Sequence, residues 1–191
     1  MANFSTLIVV NKHISKKKIF NLVNPSQIDD EWLSTFNSKY LNRDIKLLYI
    51  GRIKKEKGIF SLIKIFKKIV PKIEKNISLT VIGNGQIPKE NHTKIKFVNA
   101  IYDKKKLISQ YDAHSIFILP SYTEGHPQVL LESLARQRPV IVFSEIKHVA
   151  EKFQGVFVCD RNQEDLLKVI NYIHANYDEI KQSILLIRKV D

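Results

Sequence analysis

The sequence predicts an α/β fold in which helices flank a doubly wound parallel sheet of about six strands. From Lys46 onward, short apolar runs alternate with longer segments whose apolar residues recur at three- and four-residue steps. Most of the short runs lack polar alternation, as strands buried on both faces should. Because alternating strands and helices are typical of βαβ units, we expect the sheet to be Rossmann-like.

Six runs are the predicted strands. They are KLLYIG (46–51), SLTVIG (78–83), IKFVN (95–99), SIFILP (115–120), PVIVF (139–143) and VFVC (156–159). An amphipathic helix is predicted between the first two, with lysines on its outer face. Its apolar stripe consists of Ile59, Leu62, Ile63, Phe66, Ile69, Val70 and Ile73. Pro127 suits the first turn of a helix ending near Ala135, and one long final helix is expected from Gln163 to about Arg188.

The first 45 residues have a different pattern and are interpreted as a fragment joined to this domain. They contain the strand-like runs TLIVVN and IFNLVN, a lysine cluster at 16–18 and a polar stretch around 25–30. We place the boundary in a loop between Asn24 and Asp44, which gives an N-terminal portion of residues 1–43 and a domain of residues 44–191.

Composition narrows the class of protein without choosing a ligand. The 191 residues are 44% hydrophobic and 26% charged, which is ordinary for a folded globular chain. A net charge of +12 favours phosphates, nucleic acids or anionic lipid, although a lysine-rich coding style explains it equally well. The single cysteine, Cys159, excludes an internal disulfide. Since no apolar run is long enough for a membrane span or a signal peptide, we expect a cytoplasmic protein.

Ligands of a doubly wound sheet bind beyond the carboxyl ends of the strands, so the residues after each strand are informative. The first strand is followed by GRIKKEKG, where Gly51 permits close backbone approach and Arg52 and Lys57 place two cations near a helix start. This segment predicts a phosphate site, although two ordinary surface cations would give the same pattern. VIGNGQ follows the second strand and indicates either a tight turn or a close ligand, but it lacks the dinucleotide fingerprint.

The strongest signal follows the fourth strand, in PSYTEGHPQVLLESLA. Glu124 and Glu132 lie eight residues apart, the first before a helix and the second about two turns into it. Carboxylates accept hydrogen bonds from vicinal diols, so the pair is suited to ribose and sugar hydroxyls in one cleft. Backbone N–H groups from His126 to Leu130 can meanwhile hold a diphosphate. Taken singly, Glu124 is also compatible with a charge at a helix N-terminus and Glu132 with a solvated helix residue.

These segments, in this order, resemble the C-terminal domain of family 4 glycosyltransferases over roughly residues 44–175. The resemblance lies in IGRIKKEKGIFSLI, LTVIGNGQ and the long run from IKFVNAIYD to RQRPVIV, and its most specific mark is the glutamate pair preceded by a serine after a strand. The family implies one half of a two-domain GT-B fold, with residues 1–43 as a remnant of the N-terminal domain and its linker.

The resemblance also implies a set of donor contacts. They are Arg52 and Lys57 on the diphosphate, Glu132 on the ribose, Glu124 with Gly125 and His126 on the transferred sugar, and the backbone near Val129 and Leu130 on phosphate. The implied reaction is sugar transfer from a nucleotide donor with retention, in which Arg52, Lys57 and Glu124 are catalytic. No cofactor or metal is expected, because protein cations stabilise the departing diphosphate.

The sequence departs from the family pattern in three places. His126 and Pro127 stand where Phe-Gly is frequent, and RQRP stands where a glycine often precedes the next strand. The resemblance implies that most of the N-terminal domain is missing from this sequence, and the terminal helix is expected to cross back onto it. We therefore expect the apolar face at Ile184, Leu185 and Ile187 to be exposed.

The expected partners are a nucleotide-sugar, a saccharide or lipid-linked acceptor of the cell envelope, and a missing N-terminal domain or partner subunit. Peripheral contact with the inner face of the membrane through lysines is a further expectation. The alternatives are a nucleotide-sugar-binding subunit without catalysis, an epimerase or phosphorylase on the same fold, and a nucleic-acid-binding protein. The last ranks low because no nucleic-acid module is recognised in the sequence.

Overall fold

The computed structural model describes residues 28–33, 44–88, 92–151 and 153–187, with side chains to residue 184. Six strands form one parallel sheet: β1 (Asp44–Ile50), β2 (Asn76–Ile82), β3 (Ile95–Val98), β4 (Ile116–Leu119), β5 (Val140–Phe143) and β6 (Val156–Cys159). Six helices accompany them: α1 (Asp30–Leu33), α2 (Ile59–Ile69), α3 (Lys104–Ala113), α4 (Gln128–Ala135), α5 (Gln163–Ala175) and α6 (Tyr177–Ile187). Short 3-10 turns cover Lys55–Lys57, Val70–Lys72 and Ser144–Val149.

All six predicted strands are confirmed, and their spatial order is β3-β2-β1-β4-β5-β6 with every pair parallel. The α/β, Rossmann-like prediction is therefore correct. The order reverses direction between β1 and β4, where two strands far apart in sequence become neighbours. Such a switch point leaves a crevice beyond the carboxyl ends of the strands, because the loops that follow them turn to opposite sides.

The core forms where the apolar strands meet the apolar faces of the helices. β4 and β5 are buried along their whole length, which explains why their sequences show no polar alternation. The inner face of α2 is buried at Ile59, Leu62, Ile63, Phe66 and Ile69, as the stripe predicts. Cys159 is also buried, and burial raises the pKa of its thiol to about 12.

The prediction of one long final helix is wrong, because the chain breaks at Asn176 into α5 and α6. The side chain of Asn176 donates to the carbonyl of Tyr172 at 2.8 Å. After this break Tyr177 turns into the core, where its hydroxyl donates to the Ser115 carbonyl and accepts from Arg138. The apolar periodicity continues across the break and so conceals it from the sequence.

The expected exposure of the terminal helix is wrong for Ile184. Its side chain is only 1% exposed and lies over Gly155, so it belongs to the core of this domain. The side chains of Leu185 and Ile187 lie outside the described residues, as do the predicted runs TLIVVN and IFNLVN and the lysine cluster at 16–18.

A short segment from the N-terminal portion packs against the domain. Trp32 of α1 is 4% exposed, and its ring meets Tyr111 of α3 edge-on, with centroids 5.5 Å apart. The Trp32 carbonyl accepts a hydrogen bond from Arg136 at 2.8 Å, and Lys104 forms ion pairs with Asp29 and Glu31. Residues 28–33 therefore pack into the core of the domain that we predicted to begin at residue 44. The predicted boundary itself stays a prediction.

Candidate active site at the switch point

A cleft of about 300 Å³ lies at the switch point, beyond the ends of β1 and β4. It is lined by Tyr49, Ile50, Gly51, Arg52, Lys57, Leu119, Ser121, Glu124, His126, Pro127, Gln128 and Val129. The cleft thus joins the segment GRIKKEKG to the segment PSYTEGHPQV, which the sequence singled out separately. Parallel strands whose ends meet at one edge bring these segments together.

The centre of the cleft is an ion pair between the two segments. Lys57 Nζ lies 2.6 Å from Glu124 Oε1, and their side chains are 24% and 13% exposed. Ser121 Oγ donates to the same carboxylate oxygen at 2.7 Å, and the His148 ring bonds the Glu124 carbonyl at 2.8 Å. Both the carboxylate and the backbone of Glu124 are therefore fixed, which limits the reorganisation needed to receive a ligand.

Gly58 explains how the two segments approach so closely. Its φ is +66°, a left-handed conformation that side chains with a Cβ rarely adopt. A Cβ at this position would lie 1.7 Å from the Pro120 carbonyl oxygen. In the neighbouring turn, the Tyr122 N–H donates to the Glu56 carbonyl at 3.1 Å. The glycine that ends GRIKKEKG is thus required by packing between the loops as well as by its own backbone conformation.

Arg52 lies at the mouth of the cleft with an exposed side chain. None of the described residues accepts a hydrogen bond from its guanidinium, so its charge is available to an anion. The backbone beneath is held by Tyr49, whose hydroxyl donates to the Arg52 carbonyl at 2.7 Å. Burial, together with the nearby Glu124, raises the pKa of the Tyr49 hydroxyl, so that side chain remains a neutral donor.

The start of α4 forms another wall of the cleft. Gly125 has open space where a side chain would stand, and His126 and Val129 line the cleft. Pro127 was predicted to lie within the first turn of this helix, but it is the N-cap of α4 and so precedes that turn. Leu130 points into the core, and its N–H donates to the Pro127 carbonyl at 3.1 Å. Of the predicted backbone donors, Leu130 is therefore already engaged.

Glu132 occupies a different position from the one expected. It is the fifth residue of α4, just over one turn from the helix start, and it is not among the residues that line the cleft. Its side chain is buried and accepts a hydrogen bond from the Tyr111 hydroxyl at 2.7 Å. Burial raises the pKa of this carboxyl, an effect that hydrogen bonds from Tyr111 and Gln128 oppose. The solvated interpretation of Glu132 is thereby excluded.

The turn VIGNGQ has a structural explanation. A Cβ on Gly83 would lie 1.9 Å from the Gly51 carbonyl oxygen, because the ends of β1 and β2 come into backbone contact here. Asn84 Oδ1 accepts from the Ala100 N–H at 3.2 Å and thereby joins the ends of β2 and β3. This turn packs the carboxyl ends of β1, β2 and β3 together, in agreement with the tight-turn interpretation.

The sequence missed two supporting side chains of the site. Tyr49 lies within the first strand, where it reads as a core residue, and only its hydroxyl bond to Arg52 reveals its second role. Arg161 follows β6 and contacts the loop of Ser121 and Tyr122. The rule that points to the ends of strands would have found Arg161, had it been applied to the sixth strand as well.

A family model described as "Glycosyl transferases group 1" matches residues 31–184, which is most of the chain. The chain belongs to this family. The match begins within α1, in keeping with the packing of Trp32 into the domain. Within the described residues, no helix of this family member has the length and apolar character needed to cross a bilayer.

Curated relatives of this group 1 glycosyltransferase chain include enzymes of surface polysaccharides. The chain is 35% identical over 122 residues to the capsular polysaccharide biosynthesis glycosyltransferase CapM of Staphylococcus aureus, covering 60% of this chain and 32% of that protein. It is 28% identical over 125 residues to an α-1,4-N-acetyl-D-galactosaminyltransferase of Campylobacter jejuni, covering 62% and 33%. The name of the Campylobacter enzyme includes a glycan on diphospho-undecaprenol. The chain thus spans about a third of the length of these relatives.

Solved structures agree on the fold. WaaG, a glycosyltransferase involved in lipopolysaccharide biosynthesis, superposes with a TM-score of 0.57 at 19% identity, over 73% of this chain and 42% of WaaG. A HepE structure from Anabaena in complex with UDP and glucose superposes with a TM-score of 0.59 at 14% identity, over 76% of this chain and 43% of HepE. The six-stranded domain is therefore one half of the GT-B fold, as the resemblance implied.

Proposed function

We propose that this chain is the donor-binding half of a retaining family 4 glycosyltransferase that takes a nucleotide-sugar. The observation that carries the proposal is the cleft at the switch point, in which the Lys57–Glu124 pair lies beside the exposed Arg52. Membership of the group 1 glycosyltransferases supports the reaction class. A cation for the leaving group and a carboxylate for hydroxyls, within one cleft, match what sugar transfer requires.

Arg52 and Lys57 would hold the donor diphosphate. Hydrogen bonds between cations and phosphate are short and strong, and they strengthen as negative charge accumulates on the departing group. N–H groups at the start of α4 would add a partial positive charge at the same wall. These protein groups replace the role that a divalent metal plays in other transferases, so we propose neither metal nor cofactor.

Glu124 would contact the transferred sugar. Lys57 and Ser121 occupy its Oε1, and a carboxylate offers about four lone-pair sites, so capacity remains for sugar hydroxyls. Gly125 provides the open space beside it, and His126 lines the same cleft. On binding, the diphosphate would draw Lys57 partly away from Glu124, which frees the carboxylate where the sugar arrives.

Glu132 would accept hydrogen bonds from the ribose hydroxyls. The bonds from Tyr111 and Gln128 orient its carboxylate without filling all of its lone-pair sites. A buried carboxylate with spare acceptor capacity gains strongly from a diol, because most of its desolvation has already occurred on folding. This contact requires the carboxylate, or the helix start around it, to turn towards the cleft when the donor binds.

The acceptor is proposed from the relatives and not from the cleft. CapM and the Campylobacter transferase indicate a saccharide or lipid-linked acceptor in the synthesis of a cell-envelope polysaccharide. Such work would take place in the cytoplasm at the inner face of the membrane, where the positive charge of the chain favours anionic lipid. Since the chain spans about a third of these relatives, an N-terminal domain or partner subunit would provide the acceptor contacts.

The test is a calorimetric screen of the purified chain with UDP, GDP and ADP and their glucose or mannose esters. Arg52→Ala and Lys57→Ala should weaken binding of the preferred diphosphate about 10- to 100-fold, the range for a lost hydrogen bond to a charged group. Lys96→Ala, on the edge strand β3, makes the same charge change away from the cleft and should alter binding less than about twofold. Glu132→Ala should weaken nucleotides but not inorganic pyrophosphate.

Two results would contradict this proposal. If no nucleotide binds, the cleft is not a donor site. If Lys96→Ala weakens binding as much as Arg52→Ala, net charge and not the cleft explains it. A binding subunit without catalysis is the second candidate. Transfer of labelled sugar after a partner domain is added, with retention read from the anomeric NMR coupling, separates the two.

A further inference from the structure

Arg161 lies outside the cleft but against the loop that holds Glu124. It follows β6 by two residues and precedes α5, and its side chain is 14% exposed. Three elements converge on its guanidinium, namely the first turn of α2, the loop after β4 and the 3-10 turn after β5. A partly buried cation at such a junction needs a compensating set of partners, and the structure provides them.

Each guanidinium nitrogen donates to a different element. Arg161 Nε donates to Glu145 at 2.6 Å, Nη1 to Ser61 Oγ at 2.8 Å and Nη2 to the Ser121 carbonyl at 3.3 Å. Three of the five N–H donors of Arg161 are thus engaged by protein acceptors, and Arg161 is not among the residues that line the cleft. We therefore expect it to contribute to the site through the groups that it holds.

Two aromatic rings add to the hold. The guanidinium carbon lies 4.1 Å from the ring centroid of Tyr122 and 4.3 Å from that of Phe143. These distances are within the range of cation–π attraction, which is strongest where water is excluded. Tyr122 is 42% exposed, so its ring covers the guanidinium from the solvent side of the loop. A planar guanidinium satisfies this arrangement, whereas a lysine ammonium does not.

The residues that Arg161 touches are neighbours of the central ion pair. Ser121 accepts from Arg161 through its carbonyl and donates to Glu124 through its hydroxyl. On the other side, a Cβ at Gly58 would lie 3.0 Å from Arg161 Nη1, and Gly58 directly follows Lys57. Arg161 therefore joins the turn that carries Lys57 to the loop that carries Glu124.

We infer that Arg161 is a positioning residue that sets the geometry of Lys57 and Glu124 by holding Ser121 and the start of α2 together. The inference rests on the proposed function for its effect on a donor, but its effect on the loop is independent of any ligand. Arg161 acts through Ser121 on the side of the cleft that would contact the sugar. A substitution of Arg161 should therefore alter the position of Glu124 more than that of Arg52.

Arg161→Lys keeps the charge and removes the planar contacts. We expect it to weaken binding of UDP-glucose, or of GDP-mannose or ADP-glucose if the wild type prefers one of them, about five- to tenfold. Arg136→Lys is the matched control, because Arg136 is another arginine with little exposure and makes a two-point pair with Asp112, and it does not line the cleft. That variant should weaken binding less than about twofold at a similar loss of thermal stability.

A double-mutant cycle separates positioning from general support. In the Glu124→Gln background, Arg161→Lys should change binding less than about twofold, because the group through which it acts is already altered. Equal effects of Arg161→Lys in both backgrounds, or an equal loss in Arg136→Lys, would overturn the inference. If Arg161→Lys does not fold, Tyr122→Leu removes one ring at an exposed position and should give a smaller effect in the same direction.

Hydrogen exchange decides the inference even without a ligand. In Arg161→Lys, the Tyr122 amide, which donates to the Glu56 carbonyl, should exchange about tenfold faster while amides of β1 and β2 keep wild-type rates. Unchanged exchange at Tyr122 would overturn the inference. If the wild type binds no nucleotide but this amide responds, the proposed function fails and the positioning of the loop stands.

Discussion

Replacing Gly58 with alanine tests how tightly the two halves of the site are packed. A Cβ at this position would lie 1.7 Å from the Pro120 carbonyl oxygen and 2.7 Å from its carbon, at a backbone φ of +66°. The left-handed conformation costs a residue with a Cβ roughly 1–2 kcal/mol. Relief of the overlap requires a shift of backbone and not of a flexible side chain, and overpacking of this kind costs about 1–3 kcal/mol more.

Gly58→Ala should therefore lower the free energy of unfolding by about 3 kcal/mol, a large part of the 5–15 kcal/mol typical of a domain. For a chain of this size that corresponds to a fall in Tm of roughly 6–12 °C. Urea unfolding followed by circular dichroism gives the free energy, and a thermal scan gives the Tm. Nucleotide binding measured below the transition should weaken too, since the turn beside Lys57 must move.

Gly125→Ala is the matched control, because it makes the same chemical change at another glycine that adjoins a residue of the cleft. No atom lies within 4 Å of a Cβ built at Gly125, so its stability should stay within about 0.5 kcal/mol of the wild type. The reasoning fails if Gly58→Ala and Gly125→Ala have the same free energy of unfolding, whether both keep the wild-type value or both lose the same amount. In either case the close approach of the loops would not constrain residue 58.

Three further predictions concern positions outside the ion pair. Gln137 has a positive φ of 58°, so Gln137→Gly should be about 1 kcal/mol more stable in urea unfolding than Gln137→Ala. Both variants lose the side chain of Gln137 beyond Cβ, but alanine keeps the backbone strain of the left-handed conformation. Equal stabilities would contradict this. Burial raises the pKa of the Glu132 carboxyl above its ordinary value of 4.5, so the folded chain binds the carboxyl proton more tightly than the unfolded chain does. The stability that this proton contributes is fully present below pH 4.5 and is lost as pH rises through the folded pKa. The difference in unfolding free energy between the wild type and Glu132→Gln should therefore drift in favour of the variant as pH rises from 4 to 8, and a flat difference would count against a raised pKa. Trp32→Ala should cost about 3–5 kcal/mol in the same unfolding assay, because Trp32 packs on Tyr111, whereas a loss below 1 kcal/mol would mean that residues 28–33 do not share the core.

The sheet and the location of the cleft were predictable because they depend on patterns of many residues. β1 contains the apolar run LLYI and β4 is the apolar run IFIL, and the rule for parallel sheets then places Arg52 and Glu124 at one edge. The pairing of Lys57 with Glu124 follows from that placement only when Gly58 lets the loops touch. The sequence shows the glycine but not the Pro120 carbonyl against which it packs.

The missed features depend on single contacts between distant parts of the chain. The buried Glu132 accepts a hydrogen bond from Tyr111, which lies on α3, and no local pattern links the two residues. The break at Asn176 accompanies the hydrogen bonds of the Tyr177 hydroxyl with Ser115 and Arg138 in the core. The missing glycine in RQRP is explained by Gln137, which adopts at the end of α4 the left-handed conformation usually assigned to glycine.

The pairing of β1 with β4 in the middle of the sheet affects the order in which the chain folds. Ser115 Oγ accepts from the Lys46 N–H across 69 residues of sequence, and the strands β2 and β3 with helices α2 and α3 are made in between. Closing so long a loop carries an entropy cost that early local contacts do not repay, so this pairing should form late. The cleft exists only once β4 has docked beside β1. A ligand added during refolding should therefore leave the folding rate unchanged and slow unfolding instead.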